Sequence, residues 1–360
     1  MNTPAFNRID VMTKVQHIYD RLGWTITRGE LGSLLGVTSR SVEMFKERVS
    51  AEVIKKPELN DIIDNYWMDL IYSGNKVTKI YSYKNKRNDL INVRNYLYAQ
   101  KRRSSLPYWK KFPYPLDNDE LMQCDNRQRF DSIHEYNLDG RVIDVALFIS
   151  TEKYTATFDV ELDHLSDSGK ELLGSSVEIV YRKRAVTQCY NTVIVDLENE
   201  IIIISVDFSK LPKTETTKQF AGLKRYVARS GTRLPEPINL FPAVSELYSF
   251  GDGRISMVSF ITSDGNASNL SLKGKQECLK RDAYHHGGEV ASGIITKFKI
   301  EKLWDMQLRG GYLHPIGVAL LGKKAMLDSV SEKLSDAIIV DNTELKHKLF
   351  IIDKLMEALE

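Results

Sequence analysis

Residues 201–206 read Ile-Ile-Ile-Ile-Ser-Val, an apolar run interrupted by a single serine. A short, continuous run of this kind is typical of a β-strand that is covered on both faces of its sheet. A second predicted strand, 191–196, precedes it, and the turn Glu198-Asn199-Glu200 joins the two. Because short turns connect antiparallel neighbours, these residues predict a buried antiparallel pair of strands.

Further strands and helices are predicted on both sides of this pair. The expected strands are 129–137, 141–150, 154–162 and 176–186 before it, and 254–262, 293–304 and 312–320 after it. Leu138-Asp139-Gly140 supplies a hairpin turn. Helices are expected over 214–229, 237–248, 323–335 and 343–358. The predicted class is α+β: a helical N-terminal region followed by a mainly antiparallel α+β domain.

Charge is distributed unevenly along the 360 residues. The formal net charge is only +2, but residues 1–112 hold 20 Lys and Arg against 11 Asp and Glu, a net of +9. The remaining residues therefore carry a net of −7. Such asymmetry points to a nucleic acid or a membrane surface as partner of the basic part.

Membrane and secretory signals are absent from the pattern. No stretch approaches 18 uncharged apolar residues, so no membrane partner is expected. The first ten residues have no apolar core of a signal peptide, and Cys124, Cys189 and Cys278 form no disulfide framework. We expect a cytoplasmic protein without metal or cofactor.

The N-terminal segment shows helical periodicity with clear stops. Val11, Val15, Ile18 and Leu22 predict a helix over 10–22 that ends at Gly23. Thr27-Arg28-Gly29-Glu30 matches a capping box for a second helix, which ends at Gly36. Thr38 or Ser39 then caps a third helix.

The run TRGELGSLLGVTSRSVEMFKER, residues 27–48, resembles the helix-turn-helix of phage-repressor-like DNA-binding domains. The matching features are the small residue Gly32, the Leu35-Gly36-Val37 turn and the apolar Val42; the family usually has Ala where Gly32 stands. The resemblance covers about residues 9–49 and implies that the third helix enters the major groove. The residues it would place at base edges are Thr38, Ser39, Arg40 and Glu43, and those it would place at phosphates are Arg28, Lys46 and Arg48. The alternative is a helical hairpin that only packs or contacts protein.

Residues 76–112 form a basic segment with interleaved aromatic side chains. They contain 11 Lys and Arg, one acid (Asp89) and seven aromatic residues. Cations neutralise phosphates and aromatic faces stack on exposed bases, so we predict nucleic-acid contacts. The predicted contacts are Lys84, Lys86, Arg87, Lys101, Arg102, Arg103, Lys110 and Lys111. Alternatively, the cations at 101–103 interact with the C-terminal dipole of a helix over 88–103, and the aromatic side chains lie in the core. A further alternative is that the segment binds an acidic protein or the acidic part of this chain.

Prolines at 107, 113 and 115 suggest a linker and hence a division into three domains. We expect a helix-turn-helix DNA-binding domain at 1–56, a basic aromatic helical extension at 57–112, and an α+β sensing or assembly domain at 113–360. Repressors of this type are commonly dimers. The apolar helix at 58–72 or the one at 343–358 could form a homodimer interface.

The richest polar cluster lies at 280–289. Asp282, His285, His286 and Glu289 are candidates for acid–base catalysis or for metal binding if the stretch is a loop. Phosphate-binding loops and hydrolase motifs are absent, so a sensing or packing loop is favoured over a catalytic one.

Together these patterns favour a DNA-binding protein, a transcriptional repressor or mobile-element regulator, rather than an enzyme. The expected partner is double-stranded DNA, with single strands as a further possibility. A metal-dependent nuclease with the N-terminal region as its targeting module is one alternative. A scaffold that binds an acidic protein is the other.

Overall fold

The computed structural model describes residues 9–101, 107–138, 140–159, 166, 180–272, 277–292, 295–329 and 331–360. Its helices are α1 (Val11–Ile26), α2 (Gly32–Leu35), α3 (Val42–Lys55), α4 (Leu59–Ser73), α5 (Arg87–Tyr98), α6 (Asn118–Met122), α7 (Thr216–Ala228), α8 (Ala243–Ser249), α9 (Ala283–Ser292) and α10 (Leu345–Glu357). Its strands are β1 (Lys76–Ser82), β2 (Arg129–Leu138), β3 (Arg141–Asp159), β4 (Val180–Asp196), β5 (Ile201–Asp207), β6 (Arg254–Thr262), β7 (Ala267–Ser271), β8 (Ile295–Gln307), β9 (Leu313–Leu321) and β10 (Ala337–Val340).

The strands form one sheet of ten in the order β2-β3-β4-β5-β1-β10-β9-β8-β6-β7. Every neighbouring pair is antiparallel. Helices α1 to α4 precede the sheet in the chain, and the other helices lie between its strands or after them. The architecture is therefore α+β with an antiparallel sheet, as the sequence predicts.

β5 lies inside the sheet, between β4 and β1, and has a core on each face. Ile201 and Ile203 pack in one hydrophobic cluster, and Ile202, Ile204 and Val206 pack in the other. All seven residues of β5 are buried. The prediction of a strand covered on both faces is confirmed, and each buried isoleucine contributes about 1.5–3 kcal/mol of transfer free energy.

The strand β1 was not predicted from the sequence. Its residues pair with β5 on one side and with β10 on the other, so part of the predicted basic helical extension lies in the middle of the sheet. The expected basic aromatic helical extension at 57–112 therefore contains a strand at 76–82. Lys76 is fully buried there because its Nζ donates to the carbonyl oxygens of Ile71, at 2.9 Å, and Tyr190.

Other boundaries also differ from the predictions. The helix expected over 88–103 ends at Tyr98, and 323–335 contains only the 3₁₀ turn Lys324–Leu327. The predicted hairpin between β2 and β3 is confirmed, with Leu138 opposite Arg141. The helix expected over 343–358 is present as α10.

The two helices expected to form a dimer interface are instead buried within the chain. Trp67 and Leu70 of α4 and Leu349 and Ile352 of α10 belong to the same hydrophobic cluster. Their apolar faces therefore pack inside one chain, and neither is an exposed interface. Among the helices of the described residues, none combines the length and apolar composition that a membrane span needs.

Candidate nucleic-acid interface

The N-terminal helices bend at two glycines. Gly23 has a φ of +74° and interrupts the helix at the predicted stop, and Gly36 has a φ of +66° and ends α2. Glycine adopts this left-handed conformation without the steric cost that other residues have. A helical turn over Thr27–Leu31 runs into α2, so the chain forms three successive helical segments up to Lys55.

The caps of these helices differ from the predicted ones. Thr27 lies inside the helix, where its Oγ1 donates to the Gly23 carbonyl at 2.8 Å. Glu30 does not close a capping box: it is buried, and the Tyr66 hydroxyl donates to it at 2.6 Å. Ser41, rather than Thr38 or Ser39, caps α3 by accepting from the Met44 N–H at 3.3 Å.

The residues predicted to face base edges divide into exposed and buried ones. Thr38, Arg40 and Glu43 are exposed around the start of α3. Ser39 is buried, and its Oγ donates to the Ser41 carbonyl at 3.1 Å, so this side chain is not presented to solvent as a base contact requires.

The cations predicted at phosphates beside this helix differ in their contacts. Arg28 is exposed, with its guanidinium over Trp24 at 5.8 Å. Lys46 donates to Gln16 at 2.7 Å, and Arg48 donates to the Thr38 carbonyl at 2.5 Å. These two cations therefore already have contacts within the chain.

The exposed surface of α3 is not strongly basic. The helix carries three acids, Glu43, Glu47 and Glu52, against three bases, Lys46, Arg48 and Lys55. A helix with this balance gains little from phosphate neutralisation alone. Any role of α3 in DNA binding has to come from base contacts near Arg40.

In the basic aromatic segment, the aromatic rings mostly serve the core. Tyr81, Tyr83 and Tyr108 are buried, so they are not available to stack on bases as predicted. Tyr98 is partly exposed, but its hydroxyl donates to Asp144 at 2.5 Å.

The predicted cations of this segment that the structure describes differ in their positions and contacts. Lys84, Lys86 and Arg87 are exposed where β1 leads into α5, and Arg87 also donates to the Leu197 carbonyl at 3.0 Å. Lys111 forms ion pairs with Asp117, at 2.5 Å, and Glu120, at 3.0 Å. Lys101 and Lys110 are exposed, whereas Arg102 and Arg103 lie outside the described residues.

More cations lie together at a cleft in the acidic part of the chain than at any of these predicted positions. Its volume is about 690 Å³, and it lies between α7 and the start of β2. The cations that line it are Arg127, Arg129, Lys218, Arg225 and Arg229. Among the described lining residues, Glu152 is the only carboxylate. We call this feature the basic cleft.

The basic cleft continues into a smaller depression that reaches the predicted segment. Lys101 and Gln100 line this depression together with Arg129 and Arg229 of the cleft itself. Lys101 is therefore the predicted contact that the structure brings to the cleft. The other cations escaped sequence reasoning because they are dispersed between 127 and 229 in a part of the chain with net negative charge.

Contacts within the chain hold several of these cations in place. Arg129 forms an ion pair with Asp125, and Lys218 pairs with Glu215 at 2.5 Å. The Arg225 Nε donates to the Ala221 carbonyl at 3.2 Å. Arg229 lies over the Tyr226 ring at 5.6 Å. Since arginine presents several N–H groups in a rigid fork, a guanidinium held by one contact still has donors for a phosphate.

The floor of the cleft is a buried polar network centred on Gln219. Its Oε1 accepts from Ser150 and from Asn191, both at 2.7 Å, and also from Gln128. Its Nε2 donates to the Glu152 carboxyl. The network fixes the side chains between α7 and the sheet, because a buried polar group that loses its partner is costly.

Close packing brings α7 against this floor. A Cβ on Gly222 would lie 3.0 Å from the Gln128 side chain. Glycine at this position therefore allows the cations of α7 to stand directly above the polar network.

Burial raises the pKa of the Glu152 carboxyl to about 7, and the positive charge of Lys218 opposes that shift. At neutral pH this carboxyl is therefore protonated in a substantial fraction of molecules. Protonation removes the negative charge of the lining and leaves the cleft more strongly cationic.

The stretch expected to be a sensing or packing loop, with a catalytic role as the lesser candidate, forms the helix α9. Asp282 caps α9, its Oδ1 accepting from the His285 N–H at 2.9 Å. His285 is buried, and its Nε2 lies 2.9 Å from the Tyr248 hydroxyl. That hydroxyl donates to Glu289 at 2.6 Å, and His286 is exposed.

The helix thus joins His285 to Glu289 through Tyr248, which sequence reasoning missed because Tyr248 lies on α8. Neighbouring residues of a helix point about 100° apart, so His285 and His286 do not share a site. Burial lowers the pKa of His285, which favours the neutral ring. Within the described residues no group of three or more His, Cys, Asp or Glu side chains is arranged to hold a metal ion.

No protein-family model matches this chain, and no curated protein matches it.

Proposed function

We propose that this protein binds nucleic acid, with duplex DNA as its ligand, and that the basic cleft holds the phosphate backbone. One observation carries the proposal: five Arg and Lys side chains converge on one cleft in a part of the chain whose net charge is −7. Cations that lie close together can bind phosphates even where the net charge of the surrounding chain is negative. Phosphate contacts supply most of the affinity for DNA.

The N-terminal helices are proposed to add sequence preference. The support is the helix-turn-helix resemblance together with the exposure of Thr38, Arg40 and Glu43 near the start of α3. Arginine binds the O6 and N7 atoms of guanine in the major groove. On the same resemblance we propose that the protein is a transcriptional repressor or mobile-element regulator, acting as a homodimer in the cytoplasm.

Binding of a labelled duplex to the full-length chain tests the cleft. R225A/R229A removes one exposed cation of α7 and one directly after its C-terminus, and each lost phosphate contact costs on the order of tenfold in affinity near 0.1 M salt. The matched control is K323A/K324A, which removes two exposed cations after β9 in the other half of the sheet. The control is expected to bind like the wild type.

Competition separates DNA from an acidic protein partner. Unlabelled duplex is expected to displace the labelled duplex far better than poly-glutamate of equal charge. Equal competition by poly-glutamate, or equal affinity of R225A/R229A and the wild type, contradicts the proposal.

A further inference from the structure

β3 and β4 extend well beyond the other strands of the sheet. β2 pairs with β3 only as far as Ile149, and β5 pairs with β4 only as far as Thr192. Beyond these points, β3 and β4 continue to pair with each other up to Asp159 opposite Val180. In the described chain, residues 153–159 and 180–186 thus form a two-stranded ribbon about 20 Å long, at ~3.3 Å per residue. We call it the β3–β4 ribbon.

One face of the ribbon is cationic and exposed. Side chains on a strand alternate between faces, so Arg182 and Arg184 share a face. Their cross-strand partners on that face are Thr157 and Thr155, and Lys153 follows at the base. All five side chains are exposed, and the Lys153 Nζ also donates to the Met122 carbonyl at 2.6 Å.

The opposite face adds another cation and meets the basic cleft. Lys183 is exposed on this face, directly opposite Ala156. Glu152, which lines the cleft, lies on the same face at the base of the ribbon. The ribbon therefore begins where the cleft ends. Within the ribbon as defined, the sequence has a single acid, Asp159, at the far end opposite Val180.

We propose that the β3–β4 ribbon enters the major groove of the duplex that the basic cleft holds, with Arg182 and Arg184 facing the base edges. This inference rests on the proposed function. The major groove is about 12 Å wide and admits a two-stranded ribbon, and arginine is the side chain that most often binds guanine there. Lys153 and Lys183 lie where the flanking phosphates pass.

The presence of arginine at positions 182 and 184 argues for a role beyond keeping exposed strand edges from pairing with another chain. Lysine on an edge strand is enough to prevent pairing with another chain. Two arginines on one face, about 7 Å apart along the strand, instead place two guanidinium forks side by side. Such forks make paired hydrogen bonds to planar acceptors, as the guanine edge provides.

The test uses duplexes selected from a random pool by the full-length protein, with guanine replaced by 7-deazaguanine, which lacks the N7 acceptor. The wild type is expected to bind the replaced duplex at least about tenfold more weakly. Because Arg40 is also proposed to contact guanine, the ribbon variants are compared in an R40A background, in which R182A/R184A is expected to bind both duplexes equally. R182K/R184K keeps the charge but loses the fork, so it is expected to lose the discrimination as well.

The cleft variant R225A/R229A separates the two claims. It is expected to bind more weakly but to keep the discrimination between the two duplexes. If R182A/R184A still discriminates against 7-deazaguanine in the R40A background, or if R40A alone does not discriminate at all, the ribbon does not read the groove. If the wild type binds no duplex, the proposed function itself fails, and the ribbon inference fails with it.

Discussion

Replacing Glu152 with glutamine is expected to stabilise the protein much more at pH 8 than at pH 5. The reason is the raised pKa of this carboxyl in the folded protein, about 7 against an ordinary value of 4.5. Below pH 4.5 the group is protonated in both the folded and the unfolded chain. Its ionisation then contributes nothing to the free energy of unfolding.

Between pH 4.5 and 7 the unfolded chain releases this proton while the folded protein keeps it. The folded state binds more protons there, so the free energy of unfolding falls as the pH rises, and it levels off above pH 7. The gap between the two pKa values, about 2.5, corresponds to about 3 kcal/mol at 1.36 kcal/mol per pKa unit. Glutamine keeps an oxygen that accepts from Gln219 but has no charge to bury, so E152Q avoids this loss.

Urea unfolding of the wild type and E152Q at pH 5 and pH 8 measures the effect. The difference in the free energy of unfolding between the two proteins should be about 2.5 kcal/mol larger at pH 8 than at pH 5, because part of the effect is already present at pH 5. E198Q, at the exposed turn between β4 and β5, controls for the loss of one carboxylate. An E152Q difference that is the same at both pH values refutes the reasoning.

Two further predictions concern the core and the individual DNA contacts. Asp207 is buried and binds the Arg21 guanidinium at 2.7 Å. Because D207N leaves that buried cation without its charge partner, the substitution should lower the free energy of unfolding by about 3–5 kcal/mol. A change below 1 kcal/mol in urea unfolding would falsify this account of the ion pair. Arg40→Ala should reduce the preference among duplex sequences with a modest loss of overall affinity, whereas Lys101→Ala should weaken binding to all duplexes alike. If the two substitutions have the same effect on sequence preference in a competition assay, the division between base and phosphate contacts is contradicted.

The parts of the fold that sequence patterns predict are those decided by local hydrophobicity. The run 201–206 reveals a doubly covered strand because every residue needs burial. The strand β1 is not predicted, because Lys76 and Lys79 make the stretch look like a basic surface segment. Only the folded chain supplies the carbonyl oxygens that accept from Lys76 and the carboxylate of Asp336, 2.7 Å from Lys79.

The candidate site could be predicted only in small part. Lys101 was visible because it belongs to a cationic run, but Arg127 and Arg229 are about 100 residues apart and meet through the packing of α7 on the sheet. Gly287 and Gly288 suggested a loop where α9 forms. In each case long-range packing overrides a local preference, and a single sequence does not contain that information in a readable pattern.

The salt dependence of duplex binding tests the central claim most directly. For the full-length protein, the logarithm of the binding constant should fall linearly with the logarithm of salt concentration, with a slope of about −0.9 for each phosphate contacted. R225A/R229A should make that slope shallower by about 2, while K323A/K324A should keep the wild-type slope. Equal slopes for R225A/R229A and the wild type would show that the basic cleft does not hold the phosphate backbone.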